Sequence, residues 1–252
     1  MNKHKKVIFI GATDTDVGKT LISGLLVDYL RRQGVGAGYQ KWTATGCREG
    51  DEPEDLRTIK TLTAAGNGPI RPAAQAIGGG GEDPDSALDL AVPYRFRLPA
   101  SPHLAAAEEG REIDPEVVKS RFAQALAAHE VLIVEGAGGL MVPLTRQLLL
   151  IDLVAELRLP TLLVARSGLG TINHSLLSLE ALRHRSIPVL GLICTDEEPN
   201  PPEIIVNDNI PTIAALGRVQ VLGRLPRCVD RLTARTAFAT IGAEIHTRLA
   251  RM

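Results

Sequence analysis

A wholly apolar run, Val7-Ile8-Phe9-Ile10, leads through a polar loop bounded by Gly11 and Gly18 into Lys19-Thr20 and a segment with helical periodicity. β-Branched and aromatic residues in so short a run predict a strand buried on both faces. From Lys19 to Arg32 the positions Leu21, Ile22, Leu25, Leu26, Tyr29 and Leu30 share one side of a helix, and Gly34 supplies its stop. Strand, loop and helix in that order predict a unit of a parallel sheet. The alternation returns at Val131 to Val134, Thr161 to Ala165 and Val189 to Cys194, with Ile172 to Arg183 the clearest of the intervening helices. A strand at Val219 to Leu222 and a closing helix from Asp230 to Leu249 complete the pattern. The expected fold is therefore α/β: a doubly wound, mostly parallel sheet in a three-layer α/β/α arrangement, one domain over residues 1–252 without repeats. Ala65 to Ala91 and Glu197 to Pro202 read as surface loops, the first either an insertion or a lid.

Composition narrows the class of function. Lys and Arg number 28 against 29 Asp and Glu, a net charge of −1, so no excess charge draws the chain to nucleic acid or anionic lipid. No apolar run approaches the roughly 20 residues that span a bilayer. Met1 to Lys6 is polar and basic without the apolar core of a secretion signal. Cys47, Cys194 and Cys228 are odd in number, far apart and form no C-x-x-C pair, which predicts a reducing cytoplasm.

The loop Gly11-Ala12-Thr13-Asp14-Thr15-Asp16-Val17-Gly18-Lys19-Thr20 lies between a buried strand and an amphipathic helix, the setting in which G-K-T is a phosphate cradle. Free N–H groups at the helix start, the helix dipole and the Lys19 ammonium all favour an anion there. A nucleoside triphosphate such as ATP fits, and Thr20 can offer its hydroxyl to Mg²⁺ or cap the helix. The spacing is a long variant: Thr13 stands where the first glycine of the common motif would be, and Gly11 lies two residues earlier. The fold expected is thus P-loop NTPase-like.

Other polar groups fall at strand ends, where ligands of such sheets bind. Glu135 follows Val131 to Val134 and precedes Gly136-Ala137-Gly138-Gly139, so it either caps a turn or meets metal or substrate beside bare backbone. Lys41 leaves the strand Gly38-Tyr39-Gln40. Alone it reads first as a solvated lysine; beside a bound triphosphate it would be a second cation. Asp51, Glu52, Glu54 and Asp55 form the acidic start of a helix from Leu56 to Ala64, and one of them could also bind metal. Ser101-Pro102-His103 is a helix start with Ser101 as N-cap, which leaves His103 no catalytic assignment. Gly168-Leu169-Gly170-Thr171-Ile172-Asn173 opens another helix and could hold a carboxylate, or be an ordinary crossover.

Together, Thr13 to Thr20, Lys41 with Thr45-Gly46, Pro99 to His103, Val134 to Gly139, Gly168 to His174 and Val221 to Pro226 resemble dethiobiotin synthase in order and spacing. The resemblance implies an enzyme that closes a cyclic urea on 7,8-diaminononanoate with CO₂ and Mg-ATP, through a carbamate and a carbamoyl phosphate. It implies that Lys19 and Lys41 stabilise the transferring phosphoryl group, that Thr13, Asp14, Asp16, Val17, Gly18, Lys19, Thr20 and Thr195 hold nucleotide, and that Thr20, Asp55 and Glu135 hold Mg²⁺. It counts Thr15 and Asp16 with the two lysines as catalytic, and Thr15, Asp16, Lys41, Thr45 and Gly138 would line the diamine and carbamate site. Gly170, Thr171 and Asn173 would receive the substrate's tail carboxylate across a homodimer interface. Ala12 stands where Gly is frequent, Trp42 where Pro is common, and Thr195-Asp196 where many members carry Asn-Asp, whose Asn reads the adenine edge. Two other readings share the sheet and loop: a nucleotide-switch ATPase of the partition or metal-insertion type, and a related ATP-dependent cyclase or amide ligase. The first usually has an extra lysine early in the loop, where Thr13, Asp14 and Thr15 stand here.

Overall fold

The computed structural model describes residues 5–48, 50–64 and 84–252. The chain runs β1 (Lys6–Ala12), α1 (Lys19–Arg32), β2 (Ala37–Lys41), β3 (Thr43–Thr45) and α2 (Glu54–Thr63). Then come α3 (Pro84–Ala91), β4 (Tyr94–Phe96), α4 (Pro102–Glu108), α5 (Pro115–Ala128), β5 (Val131–Glu135), α6 (Leu150–Glu156) and β6 (Thr161–Arg166). It closes with α7 (Thr171–His184), β7 (Val189–Thr195), α8 (Glu203–Leu216), β8 (Val221–Leu225) and α9 (Arg231–Arg251). Among the described residues no helix is long and apolar enough to cross a membrane.

Six strands pair in the order β2-β5-β1-β6-β7-β8, every pair parallel. Side chains alternate between the two faces. Ile8 and Ile10 of β1 pack with Ile133, Leu162 and Ile193 against α1, α2 and α9. Phe9 lies in the other core, with Leu132, Val134 and Leu163 against α4 to α8. Both faces are thus covered, which is why these strands read as continuous apolar runs. Fully burying a side chain such as Ile8 or Phe238 stabilises the fold by about 1.5–3 kcal/mol. The expected doubly wound, three-layer α/β/α fold is the one observed.

Some boundaries differ from those expected. The strand expected over Val219 to Leu222 is β8, Val221–Leu225. Its Gly223 and Arg224 break the apolar run, and the Arg224 guanidinium reaches out to Asp196 and Glu203 instead of the core. The stretch from Ala65 to Ala91 is not a loop at its end, because residues 84–91 form α3; the rest of it, to residue 83, lies outside the described residues. Glu197 to Pro202 carries no regular structure, as expected. Ser101 does occupy the N-cap of α4, but its hydroxyl makes no cap hydrogen bond and meets His103 Nδ1 at 3.1 Å.

The register of the sheet brings polar groups from separate strands to one edge. Lys41 of β2 and Ile10 of β1 both pair with Glu135 of β5, so β2 and β5 end in one row while β1 runs two residues further, to Ala12. On the same strand as Lys41, Gly38 makes room for His129, since a Cβ there would lie 2.1 Å from the imidazole.

Burial, helped by Arg31 and Lys5, pulls the His129 pKa down from 6.5 to about 4. The folded state therefore takes up this proton later than the unfolded chain, and stability drops as pH falls from about 6.5 towards 4, by up to about 3 kcal/mol. Urea unfolding at pH 7 and pH 4.5 should show a smaller acid loss in His129→Gln than in wild type; an equal loss in both contradicts this assignment.

Candidate active site

The carboxyl edge of the sheet gathers the ends of β2 and β5, the start of α1 and the start of α2. Lys41 Nζ lies 2.7 Å from Asp55 Oδ1 and 3.2 Å from Glu135 Oε1. Thr20 Oγ1 is 2.8 Å from each of the same two oxygens. Glu135 is fully buried, and its Oε2 accepts hydrogen bonds from Ser23 Oγ and Tyr39 Oη at 3.0 Å each. Burial alone would lower the Lys41 pKa, yet Glu135 and Asp55 outweigh it and hold the ammonium above its usual value. Burial likewise opposes ionisation of Asp55, but Lys41 and Thr20 hold its carboxyl below the ordinary carboxylate range. Lys41 and Asp55 are both charged near neutrality.

The Thr20 hydroxyl has one proton and two carboxylate oxygens at equal distance, so it can donate to only one of them. Two carboxylate oxygens and a hydroxyl oxygen converge here, with the Lys41 ammonium bridging the carboxylates, and such an all-oxygen donor set suits a hard divalent cation such as Mg²⁺. Thr20 does not cap α1. That position belongs to Gly18, whose left-handed φ of 91° no L side chain adopts without strain and which provides no side-chain acceptor. The first N–H groups of α1 are thereby left open to an anion.

Lys19 Nζ donates to the Asp14 carbonyl at 2.9 Å, and among the described residues no carboxylate lies within ion-pair distance of it. Burial, resisted by Glu135, lowers its pKa to about 8. A buried ammonium resting on a backbone carbonyl, facing free helix N–H groups, is a site arranged for phosphate oxygens.

A cavity of about 470 Å³ joins these groups, lined by Thr15, Asp16, Gly18, Lys19, Thr20, Lys41, Thr43, Thr45, Asp55, Glu135 and Gly138 among others. A larger one of about 760 Å³ shares Gly46, Cys47, Glu54 and Thr58 with it but contains neither lysine. Glu54 and Asp55 both line the smaller cavity, and Asp55 is the one that meets Thr20 and Lys41. Gly138, at φ 68°, places its backbone against Thr15, where a Cβ would lie 2.8 Å from Val142.

Not every residue singled out in the sequence faces this cavity. Thr13 hydrogen bonds through its N–H to Val164, and Asp14 Oδ1 accepts from the Thr15 N–H. Val17 is buried, and its carbonyl accepts from Thr195 Oγ1 at 2.8 Å. Thr195 therefore touches the loop itself, with its methyl beside Gly18. Gly170 is the exposed N-cap of α7, Asn173 is exposed, and Thr171 Oγ1 donates to the Arg166 carbonyl at 2.6 Å. Those three residues lie outside the cavity of their own chain.

Sequence reading missed Ser23, Tyr39 and Thr43. The first two had a signal: Ser23 follows Thr20 by one helical turn and Tyr39 precedes Lys41 by one strand period, so each shares a face with a site residue.

A family model described as an AAA domain matches residues 6–74 and 82–234. The ATP-dependent dethiobiotin synthetase BioD of Agrobacterium fabrum is 39% identical over 220 residues, 86% of this chain and 84% of its own. That of Rhodopseudomonas palustris strain BisB5 is 41% identical over 234 residues, 92% of each chain. Among solved structures, a ParA family ATPase from Chlorobium tepidum has a TM-score of 0.54 at 12% identity, over 99% of this chain and 96% of that one. The MinC:MinD cell division protein complex of Aquifex aeolicus gives 0.56 at 13% identity, over 96% of each chain. These last two are likenesses of fold alone.

The bond from Thr195 to the Val17 carbonyl should steady the loop before α1. Thr195→Val is expected to weaken binding of a non-hydrolysable triphosphate five- to ten-fold, the worth of one buried hydrogen bond of about 1–1.4 kcal/mol, with Thr195→Ser close to wild type. Calorimetric titration checks this, and equal affinity in all three proteins contradicts it.

Proposed function

The chain belongs to the family of ATP-dependent dethiobiotin synthetases, and we infer that it is a ligase that closes a cyclic urea on 7,8-diaminononanoate with CO₂ and ATP. The observation that carries this reading is the meeting, in one cavity, of Lys19, Lys41 and the oxygen cluster of Thr20, Asp55 and Glu135. Two ammonium groups, open helix N–H groups and a cation-binding oxygen set suit phosphoryl transfer, in which positioning and charge neutralisation do most of the chemistry.

In this reading one amino group of the diamine carries CO₂ as a carbamate. A carbamate oxygen attacks the γ-phosphorus of ATP and ADP leaves; the second amine then attacks the carbamoyl carbon and inorganic phosphate leaves. No protein nucleophile is needed. Lys19 moves from the Asp14 carbonyl to the phosphates, and Lys41 neutralises the oxygens of the transferring group. The loop from Thr13 through Asp14, Val17 and Gly18 holds the triphosphate by its backbone, with Thr195 bracing it. Thr15, Asp16, Thr45 and Gly138 form the wall against which the diamine and its carbamate rest. Thr20, Asp55 and Glu135 would hold Mg²⁺, which supplies charge neutralisation on the phosphate oxygens.

We further infer a homodimer in which Gly170, Thr171 and Asn173 of one subunit receive the tail carboxylate of the substrate bound by the other. Two features support it. These residues lie outside their own cavity, and around the start of α7 Leu169 is 89% exposed and Leu177 57% exposed, an apolar surface for a second copy. The same reading makes the whole chain one catalytic domain and sets it in the cytoplasm; Cys47, Cys194 and Cys228 are free thiols, which supports the latter.

Purified protein with Mg-ATP, bicarbonate and the diamine should release phosphate and form the cyclic urea, detected by mass spectrometry. Phosphate release at the same rate without the diamine, or no cyclic urea, contradicts the reading. Lys41→Ala should lower kcat about 100-fold or more. It should also lower the melting temperature, because Asp55 and Glu135 are left facing each other without their cation.

A further inference from the structure

Among the buried side chains in the wall of the catalytic cavity, Thr43 is the one with an unpartnered polar atom among the described residues. The residue is fully buried, and its Oγ1 has no hydrogen-bond partner among the described residues. Such a hydroxyl destabilises a folded chain unless something meets it. Its neighbours Gln40 and Trp42 also carry one unpartnered polar atom each, but neither lines the cavity. The Gln40 amide donates to the Leu90 carbonyl, and Trp42 packs on Phe9 and Phe122 in the opposite core. Thr43 is different. It belongs to β3, where the strand period puts it on the same face as Thr45, while Ala44 turns into the core shared with Val17 and Leu56. Both threonines line the cavity that holds Lys41.

We propose that the Thr43 hydroxyl is a substrate-binding group that accepts an N–H from an amino group of the diamine; this rests on the reading of the cavity as a diamine site. The chemistry of the wall favours an amine at this point. The Lys41 ammonium is already paired with Asp55 and Glu135 and does not compete for the Thr43 oxygen, while the reacting amine must be neutral to attack carbon. A neutral acceptor suits that form. A carboxylate in its place would raise the basicity of the amine and trap it as a cation, whereas a hydroxyl oxygen orients the N–H and leaves the nitrogen lone pair free to attack carbon. Bound substrate would also give the orphaned hydroxyl its missing partner. Thr43 thereby helps select a substrate with an amino group at this end over an analogue lacking it.

Steady-state kinetics with the full enzyme, ATP, bicarbonate and 7,8-diaminononanoate test this on Thr43→Val, which keeps the shape and removes the hydroxyl. The KM for the diamine should rise about ten-fold, a discrimination expected when a designed polar contact is lost. The KM for ATP should stay as in wild type, the melting temperature should be equal or higher, and Thr43→Ser should restore the diamine KM. A purely structural hydroxyl would leave the diamine KM alone, whichever way the melting temperature moves. If Thr43→Val does not fold, Thr43→Ala is read in the same way. A diamine KM unchanged in the folded variant, with wild-type turnover intact, overturns the assignment of Thr43 and leaves the reaction standing. Wild-type enzyme that does not turn over the diamine overturns both.

Discussion

A carboxylate with no access to water, Glu135, holds the site together. A buried charge is tolerated only where donors replace its hydration. Here one oxygen faces Thr20 and Lys41, and the other accepts from Ser23 and Tyr39. Those four residues come from α1 and β2, and Asp55 adds α2 through its contacts with Thr20 and Lys41. Because β5 pairs with both β1 and β2, the carboxylate can reach every one of these elements from a single strand end. Ser23 and Tyr39 do not line the cavity, and they meet it only through Glu135, whose Oε2 they hold. Burial and then the Glu135 charge push the Tyr39 hydroxyl pKa well up, which keeps it a donor.

The two lysines are set apart by the same arrangement. Lys41 lies against two carboxylates and stays charged despite its burial, whereas Lys19 has a backbone carbonyl for company and a pKa drawn down to about 8. A triphosphate reverses the situation of Lys19, since its oxygens would supply the negative charge that the protein itself withholds. Lys41 is tethered to two carboxylates, whereas Lys19 is held by a single carbonyl. The contrast belongs to the geometry rather than to the residue type.

Much of this architecture is readable from the chain because the fold and the phosphate loop obey strong local rules. Buried parallel strands leave long apolar runs, and glycine before Lys19-Thr20 at a helix start has few other uses. What escapes such reading depends on long-range contact. β3 and β4 are three residues each and pair across a gap of some fifty positions, too short to leave a period. α8 carries Pro211 inside it, a residue that ordinarily ends a helix, and β8 is interrupted by Gly223 and Arg224. The choice of Asp55 over Glu54 needs the rotation of α2, and the attachment of Thr195 to Val17 needs the approach of β7 to the loop. What marks Thr43, an unpartnered hydroxyl, is a property of its surroundings.

The most direct measurement is a crystal structure with Mg²⁺, a non-hydrolysable ATP analogue and the diamine. Lys19 Nζ is expected to have left the Asp14 carbonyl for the terminal phosphates, with the metal on Thr20, Asp55 and Glu135 and the two amines beside the terminal phosphate. Lys19 still on Asp14, with the nucleotide bound elsewhere and the cavity between Lys19 and Lys41 empty of phosphate, would contradict the phosphoryl-transfer role of this site.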